Sequence, residues 1–218
     1  MRKIMQEKPI IFDRLGRRLL CTFLPFLFLR KGKVSNREYW EAHPTSAFDG
    51  IHHASQAMLD EIITLAPDRN TSILDMGCNV GRHLNFLFRQ GYRNLRGIDF
   101  SSAAIRDMAV RYPDMYASSV IAATSFQDYL RNNPEPVDIV YSRGATYELV
   151  HPGFPLIKMV CKTAVKHVVL VISETGHAYP RLWQYEFARN GFELTHLRRP
   201  ASPMAPEHKV SLMVFSRL

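Results

Sequence analysis

Residues 72–83 read SILDMGCNVGRH, and this stretch decides the fold. Its apolar first half is typical of a buried strand, and the apolar spacing just after it predicts a helix. Between strand and helix, Gly77 and Gly81 predict a tight turn that another molecule can approach closely, because neither residue has a Cβ. The start of the helix would offer backbone N–H groups and a positive dipole end to a carboxylate or a phosphate.

A second predicted strand, residues 95–98, also ends in an acidic residue, Asp99. In nucleotide-binding βαβ units a carboxylate about 20 residues after the glycine-rich turn binds the ribose hydroxyls, and Asp99 lies at nearly that spacing. Dinucleotide-binding turns follow the pattern G-x-G-x-x-G. Here Asp75, Gly77, Asn79 and Gly81 follow one another at steps of two, which is a different pattern. The glycine pattern alone does not decide the ligand.

This spacing resembles motif I of the class I S-adenosylmethionine-dependent methyltransferases, D/E-x-G-x-G-x-G. Asn79 stands where the family has its middle glycine, and Asn is one of the residues that adopt left-handed backbone conformations most readily. Two further stretches resemble the family in the expected order: RGIDFS at 96–101 resembles its second motif, and VDIVY at 137–141 its fourth strand. The resemblance covers about residues 54–218.

The order of the predicted elements agrees with that resemblance. Five strands alternate with helices, and two final strands, 192–197 and 210–215, follow each other without a helix. This order predicts a Rossmann-like α/β fold: a seven-stranded, mostly parallel sheet with an antiparallel last strand and helices on both faces. Residues 36–218 would form this domain, and residues 1–35 an N-terminal arm.

The resemblance implies S-adenosyl-L-methionine as the cofactor. The turn residues would line its methionine and ribose, Asp75 would orient the turn or meet the amino group, and Asp99 would bind the ribose hydroxyls. Phe100 would flank the adenine, and Ser125 and Phe126 would lie at its edge, where the family often has an acid. The predicted cofactor-binding residues are Asp75, Gly77, Cys78, Asn79, Gly81, Asp99, Phe100, Ser125 and Phe126.

Polar residues after the fourth strand are the candidates for catalysis. Methyl transfer is an in-line displacement, and a hydroxyl acceptor benefits from a base that takes its proton. His151 and Glu148 are the predicted bases, although a polar residue at a strand end also serves as a cap or a solvated side chain. No metal-ligand cluster is evident in the sequence. The Asn/Asp-Pro-Pro-aromatic motif of amino-methylating relatives is missing, which favours a hydroxyl or carboxyl acceptor.

The formal net charge of +8 is concentrated in the N-terminal arm. Residues 1–38 hold ten Lys or Arg and three acids, whereas the rest of the chain is close to neutral. The arm also contains an apolar run of eleven residues, 19–29, which is too short for a membrane-crossing helix of about 20 residues. Together these features predict a basic amphipathic helix on a membrane surface. Packing of the same face on the chain's own domain or on a partner protein is the alternative.

These observations lead to one functional hypothesis and two alternatives. The chain would O-methylate a saccharide, a lipid-linked glycan of the cell envelope such as lipopolysaccharide, or a small hydroxyl or carboxyl acceptor. Three scattered cysteines without metal-ligand spacing indicate a reducing, cytoplasmic setting, with peripheral attachment to the inner membrane through the arm. An RNA methyltransferase is one alternative, disfavoured because the positive charge lies in the arm. The other is a non-catalytic regulator or scaffold that binds the cofactor.

Overall fold

The computed structural model describes residues 50–143, 150, 153–173, 181–204 and 210–218. The predicted arm, residues 1–35, lies outside the described residues. The same holds for the first part of the predicted domain, residues 36–49.

Strands and helices alternate as the sequence predicts. The fourth strand is longer than predicted and ends at Arg143 rather than at Tyr141, and a short helix over Pro113–Ala117 was not predicted. The strands are β1 Ile73–Met76, β2 Leu95–Asp99, β3 Val120–Ala123, β4 Val137–Arg143, β5 Ala164–Ser173, β6 Phe192–Arg198 and β7 Val210–Arg217. The helices are α1 His53–Leu65, α2 Arg82–Arg89, α3 Ser102–Arg111, α4 Pro113–Ala117, α5 Phe126–Arg131, α6 Leu156–Thr163 and α7 Trp183–Ala188.

The seven strands form one sheet in the order β3-β2-β1-β4-β5-β7-β6. The central strand β1 pairs in parallel with β2 on one side and with β4 on the other. Strand β7 lies between β5 and β6 and runs antiparallel to both, with Val168 opposite Phe215 and Phe192 opposite Arg217. Antiparallel neighbours need no crossover helix. The predicted fold class and the pairing of 192–197 with 210–215 are therefore confirmed.

Helices cover both faces of the sheet, so alternate residues of one strand enter different cores. Ile73 of β1 packs with Met58 and Ile62 of α1 on one face. Leu74, its neighbour, packs on the other face in a core that includes Phe187 of α7. All four β1 residues are buried, as expected for a parallel strand covered on both faces. The covered faces leave the carboxyl ends of the strands as the edge where a ligand can approach.

Candidate active site

Three strand ends and one helix start meet at the carboxyl edge of the sheet. We call this region the carboxyl-edge site and define it by residues 75–83, 99–101 and 141–143. In open α/β sheets ligands bind in the crevice at this edge. The site contains seven of the nine predicted cofactor-binding residues, all except Ser125 and Phe126.

The turn between β1 and α2 has a left-handed backbone at every second residue. Gly77, Asn79 and Gly81 have φ angles of 89°, 52° and 77°. Asn79 thus adopts a left-handed conformation although it is not a glycine, and its Oδ1 accepts a hydrogen bond of 2.6 Å from the amide of Val80. This local bond explains how the turn forms without a glycine at residue 79.

The backbone amides of this turn are bonded within the chain. The amides of Gly77 and Cys78 donate to the carbonyl of Ile98 at 2.9 and 3.0 Å, and the amide of Gly81 donates to the carbonyl of Cys78 at 2.9 Å. With the bonds of Asn79 and Val80, all five amides from 77 to 81 are engaged. These five amides are therefore not free to bind an anion, and the anion site expected from the sequence, at the start of α2, stays a prediction. The turn is instead fixed on the end of β2.

Asp99 connects the turn to β2. Its Oδ2 accepts from the amide of Asn79 at 2.9 Å, and its Oδ1 accepts from the amide of Ser101 at 2.9 Å. Burial raises the pKa of Asp99, although hydrogen bonds from the amides of Ser101, Asn79 and Phe100 act in the opposite direction. Each carboxylate oxygen has a second lone pair, so the position fits the ribose hydroxyls that the sequence assigns to it.

Asp75 is a buried carboxyl group with one unsatisfied oxygen. Its Oδ2 accepts a hydrogen bond of 2.9 Å from the hydroxyl of Tyr141, while its Oδ1 has no partner among the described residues. Burial raises the pKa of Asp75 to about 8, and the Tyr141 hydrogen bond lowers it only in part. Buried polar atoms in folded proteins are almost always hydrogen-bonded. The free Oδ1 therefore fits the donor that the sequence predicts here, the amino group of the cofactor.

Two residues next to Asp75, Tyr141 and His83, were not predicted from the sequence as part of the site. Tyr141 is fully buried and lies opposite Asp75 in the β1–β4 register. His83 places its Nδ1 3.9 Å from Asp75 Oδ2. Burial, together with the charges of Arg143, Arg82 and His52, lowers the pKa of His83 to about 3. His83 is consequently neutral at physiological pH. The sequence did contain a signal for Tyr141: it is the last residue of a predicted strand, and this position brings it close to Asp75.

The other predicted cofactor residues have structural contacts of their own. A Cβ on Gly81 would lie 2.7 Å from Met108 Cγ, so this glycine is required by packing as well as by the turn. Ser125 caps α5 by accepting from the amide of Asp128, and its hydroxyl is also 2.7 Å from that residue's carboxylate. Cys78 is buried, and Phe126 packs against the core on the α6 face. Their contacts with the cofactor, like that of Phe100, stay predictions.

The predicted bases, Glu148 and His151, lie outside the described residues. Within the described ranges, no three His, Cys, Asp or Glu side chains come together in a way that could hold a metal ion. The helices described are also all too short or too polar to cross a membrane.

Comparison with known proteins gives one curated relative and many structural neighbours. No protein-family model matches the chain. The ubiquinone biosynthesis O-methyltransferase of Ralstonia nicotianae is 28% identical over 141 residues, which is 57% of this chain. The chain spans only 57% of the length of that relative.

The structural neighbours cover more of the chain at lower identity. Magnesium protoporphyrin IX methyltransferase from Synechocystis, solved with bound S-adenosylhomocysteine, matches with a TM-score of 0.60 and 14% identity over 93% of this chain and 99% of that one. A TehB-like S-adenosylmethionine-dependent methyltransferase from Corynebacterium glutamicum matches with a TM-score of 0.60 and 16% identity, covering 89% of this chain and 100% of that one. A methyltransferase in complex with the Trm112 activator of Haloferax volcanii reaches 0.63 at 14% identity, over 83% of this chain and 96% of that one. The sheet order, the left-handed turn after β1 and these matches together show that the chain has the fold of the class I S-adenosylmethionine-dependent methyltransferases.

Proposed function

We propose that the chain binds S-adenosylmethionine at the carboxyl-edge site and transfers its methyl group to an oxygen atom of an acceptor. The observation that carries this proposal is the buried Oδ1 of Asp75, which has no hydrogen-bond partner in the described part of the chain and lies beside a turn that Asp99 holds in place. The named relatives support the same activity, since they are methyltransferases and the curated one is an O-methyltransferase.

Two parts of the cofactor, its amino group and its ribose, have candidate partners in the site. Asp75 would accept a hydrogen bond from the amino group, and Asp99 would accept from the ribose hydroxyls, as the sequence resemblance implies. The bound cofactor supplies an activated methyl group on a sulfonium. The chain's own residues would hold the cofactor in one orientation and place the acceptor in line with the methyl group.

The acceptor proposed from the sequence is a saccharide, a glycolipid or a small hydroxyl or carboxyl compound. A hydroxyl acceptor would need a base, and His83 is a weak one because its pKa is about 3. Glu148 and His151, which follow β4 in the sequence, remain the proposed bases. Attachment of residues 1–35 to the cytoplasmic face of a membrane stays a prediction, and it would bring the site close to lipid-linked acceptors.

Transfer of labelled methyl from S-adenosylmethionine into a fractionated cell extract tests this proposal. We expect label in the glycolipid or small-molecule fraction with the full chain, and at least tenfold less with the Asp99→Ala variant, because the ribose hydroxyls lose a charge-assisted acceptor of about 1.5–3 kcal/mol. Label in RNA would establish the first alternative. Cofactor binding without transfer to any fraction would establish the second, a non-catalytic protein.

A further inference from the structure

Arg143, the last residue of β4, is a partly buried cation for which the described residues provide no partner. Its Nε is buried and has no hydrogen-bond acceptor, and no carboxylate forms an ion pair with it among the residues described. Burial lowers the pKa of this guanidinium group. Arginine side chains are rarely buried unless they are paired, because an unpaired buried charge destabilises the folded state. An anion bound next to Arg143 would therefore provide the partner that its guanidinium group lacks.

The surroundings of Arg143 are positively charged. The charge of Arg82 lowers the pKa of Arg143, and both arginines act on His83 together with His52. In the cofactor-free protein, the nearby carboxyl group of Asp75 is largely protonated at neutral pH, because its pKa is about 8, and does not offset these charges. Two guanidinium groups thus share this end of the sheet, and an anion there would relieve their mutual repulsion.

The sheet places Arg143 on the side away from the predicted ribose position. Strand β2, which ends in Asp99, lies on one side of β1, and β4 lies on the other. Tyr141 is level with Asp75, and Arg143 follows two residues later, about 6–7 Å further along the same face of the strand. Arg143 consequently lies one residue beyond the end of β1, on the side of that strand away from β2.

We propose that Arg143 binds an anionic group, a carboxylate or a phosphate, on the methyl acceptor. This inference rests on the proposed function and narrows its substrate class to acceptors that carry such a group. The planar guanidinium group binds carboxylate and phosphate oxygens through two parallel hydrogen bonds, which fixes the orientation of the acceptor as well as its position.

Thermal unfolding of the full chain saturated with S-adenosylhomocysteine tests the inference. Benzoate and inorganic phosphate are the probes, at constant ionic strength, and benzamide is the neutral counterpart of benzoate. We expect both anions, but not benzamide, to raise the melting temperature of the wild-type protein, because a ligand that binds only the folded state stabilises it. In Arg143→Gln the concentration of anion needed for the same rise should increase at least tenfold.

Two further variants make the comparison specific. Arg106→Gln removes the same charge from an exposed position on α3 and should respond to the anions like the wild type. Arg143→Lys keeps the charge but not the planar fork, and should lie between the wild type and Arg143→Gln. Without anions, Arg143→Gln should unfold at the wild-type temperature or above it, because it removes an unpaired buried charge.

Equal anion responses in the wild type and in Arg143→Gln would overturn the inference, as would a wild-type protein that does not respond to either anion. Calorimetry with S-adenosylhomocysteine separates the remaining cases. A loss of cofactor affinity of tenfold or more in Arg143→Gln, with the anion response retained, would assign the residue to the carboxylate of the cofactor instead. Absence of cofactor binding by the wild type would overturn the proposed function and this inference with it.

Discussion

At the scale of single residues, Asp75 shows how burial prepares a carboxyl group for a cationic partner. One oxygen accepts from Tyr141, while the other has no partner among the described residues. Desolvation is the largest influence on this group and raises its pKa to about 8. A nearby ammonium group would favour the ionised form. The protonation state of Asp75 should therefore report whether the cofactor is bound.

The pH dependence of stability follows from the same shift. In the folded protein the pKa of Asp75 is about 8, above its ordinary value of 3.8, so the folded state holds a proton that the unfolded chain releases. The stability that this proton contributes is complete below the ordinary pKa and is lost as the pH rises through about 8. We expect Asp75→Asn to gain stability relative to the wild type between about pH 5 and pH 8. Urea unfolding without cofactor measures this, and parallel pH profiles would contradict it.

Cofactor affinity should depend on pH in the opposite sense. If the ionised form of Asp75 binds the amino group of the cofactor, affinity should increase as the pH rises from about 6 towards 8. In Asp75→Asn the affinity should be roughly tenfold to a hundredfold lower, since a hydrogen bond to a charged group contributes about 1.5–3 kcal/mol, and it should no longer change over this range. Calorimetric titration with S-adenosylhomocysteine at several pH values is the measurement. An affinity that is constant with pH in the wild type would exclude this role for Asp75.

At the scale of elements, the turn between β1 and α2 depends on both conformation and packing. Gly81 has a φ of 77°, and an added Cβ would lie 2.7 Å from Met108 Cγ of α3. Gly191 has nearly the same φ, 79°, but nothing lies within 4 Å of its added Cβ. Gly191→Ala should cost about 1–2 kcal/mol through backbone strain alone. Gly81→Ala should lower the free energy of unfolding by about 1–3 kcal/mol more than Gly191→Ala, because overpacking is added to the backbone strain.

Urea unfolding of the two alanine variants measures the difference between them. Gly191 is the matched control because its substitution introduces the strain without the collision. Equal losses of stability in the two variants would show that the Met108 side chain or α3 itself moves to accommodate the new methyl group at residue 81. The turn would then not be fixed by its packing against that helix.

The strands and the glycine-rich turn could be predicted because each is determined by a short stretch of sequence. The apolar runs and the motif order gave the strands and their sequence, and the left-handed backbone of Asn79 follows from the residue type. The bond between Tyr141 and Asp75 was not predictable in the same way, because it joins residues 66 apart through the register of β1 and β4. The engaged amides of residues 77–81 were also missed, since their partners include the end of a different strand.

At the scale of the whole molecule, charge is divided unevenly between the N-terminal arm and the rest of the chain. We expect the full chain to float with liposomes that contain anionic lipid, and a chain beginning at Ser35 to remain unbound, because the arm carries the basic and apolar residues that a membrane surface attracts. High salt should weaken the binding of the full chain. Equal flotation of the two chains would remove the membrane prediction and, with it, the main reason to favour a cell-envelope acceptor.

The central claim for the molecule is that its carboxyl-edge site holds S-adenosylmethionine. Calorimetric titration of the full chain with S-adenosylhomocysteine, with NAD as the comparison ligand, tests it most directly. We expect one site per chain for S-adenosylhomocysteine, an affinity at least tenfold lower in Asp99→Ala, where the ribose hydroxyls lose their acceptor, and no tight binding of NAD. Tight binding of NAD, or no binding of S-adenosylhomocysteine by the folded wild-type chain, would show that the site does not hold S-adenosylmethionine.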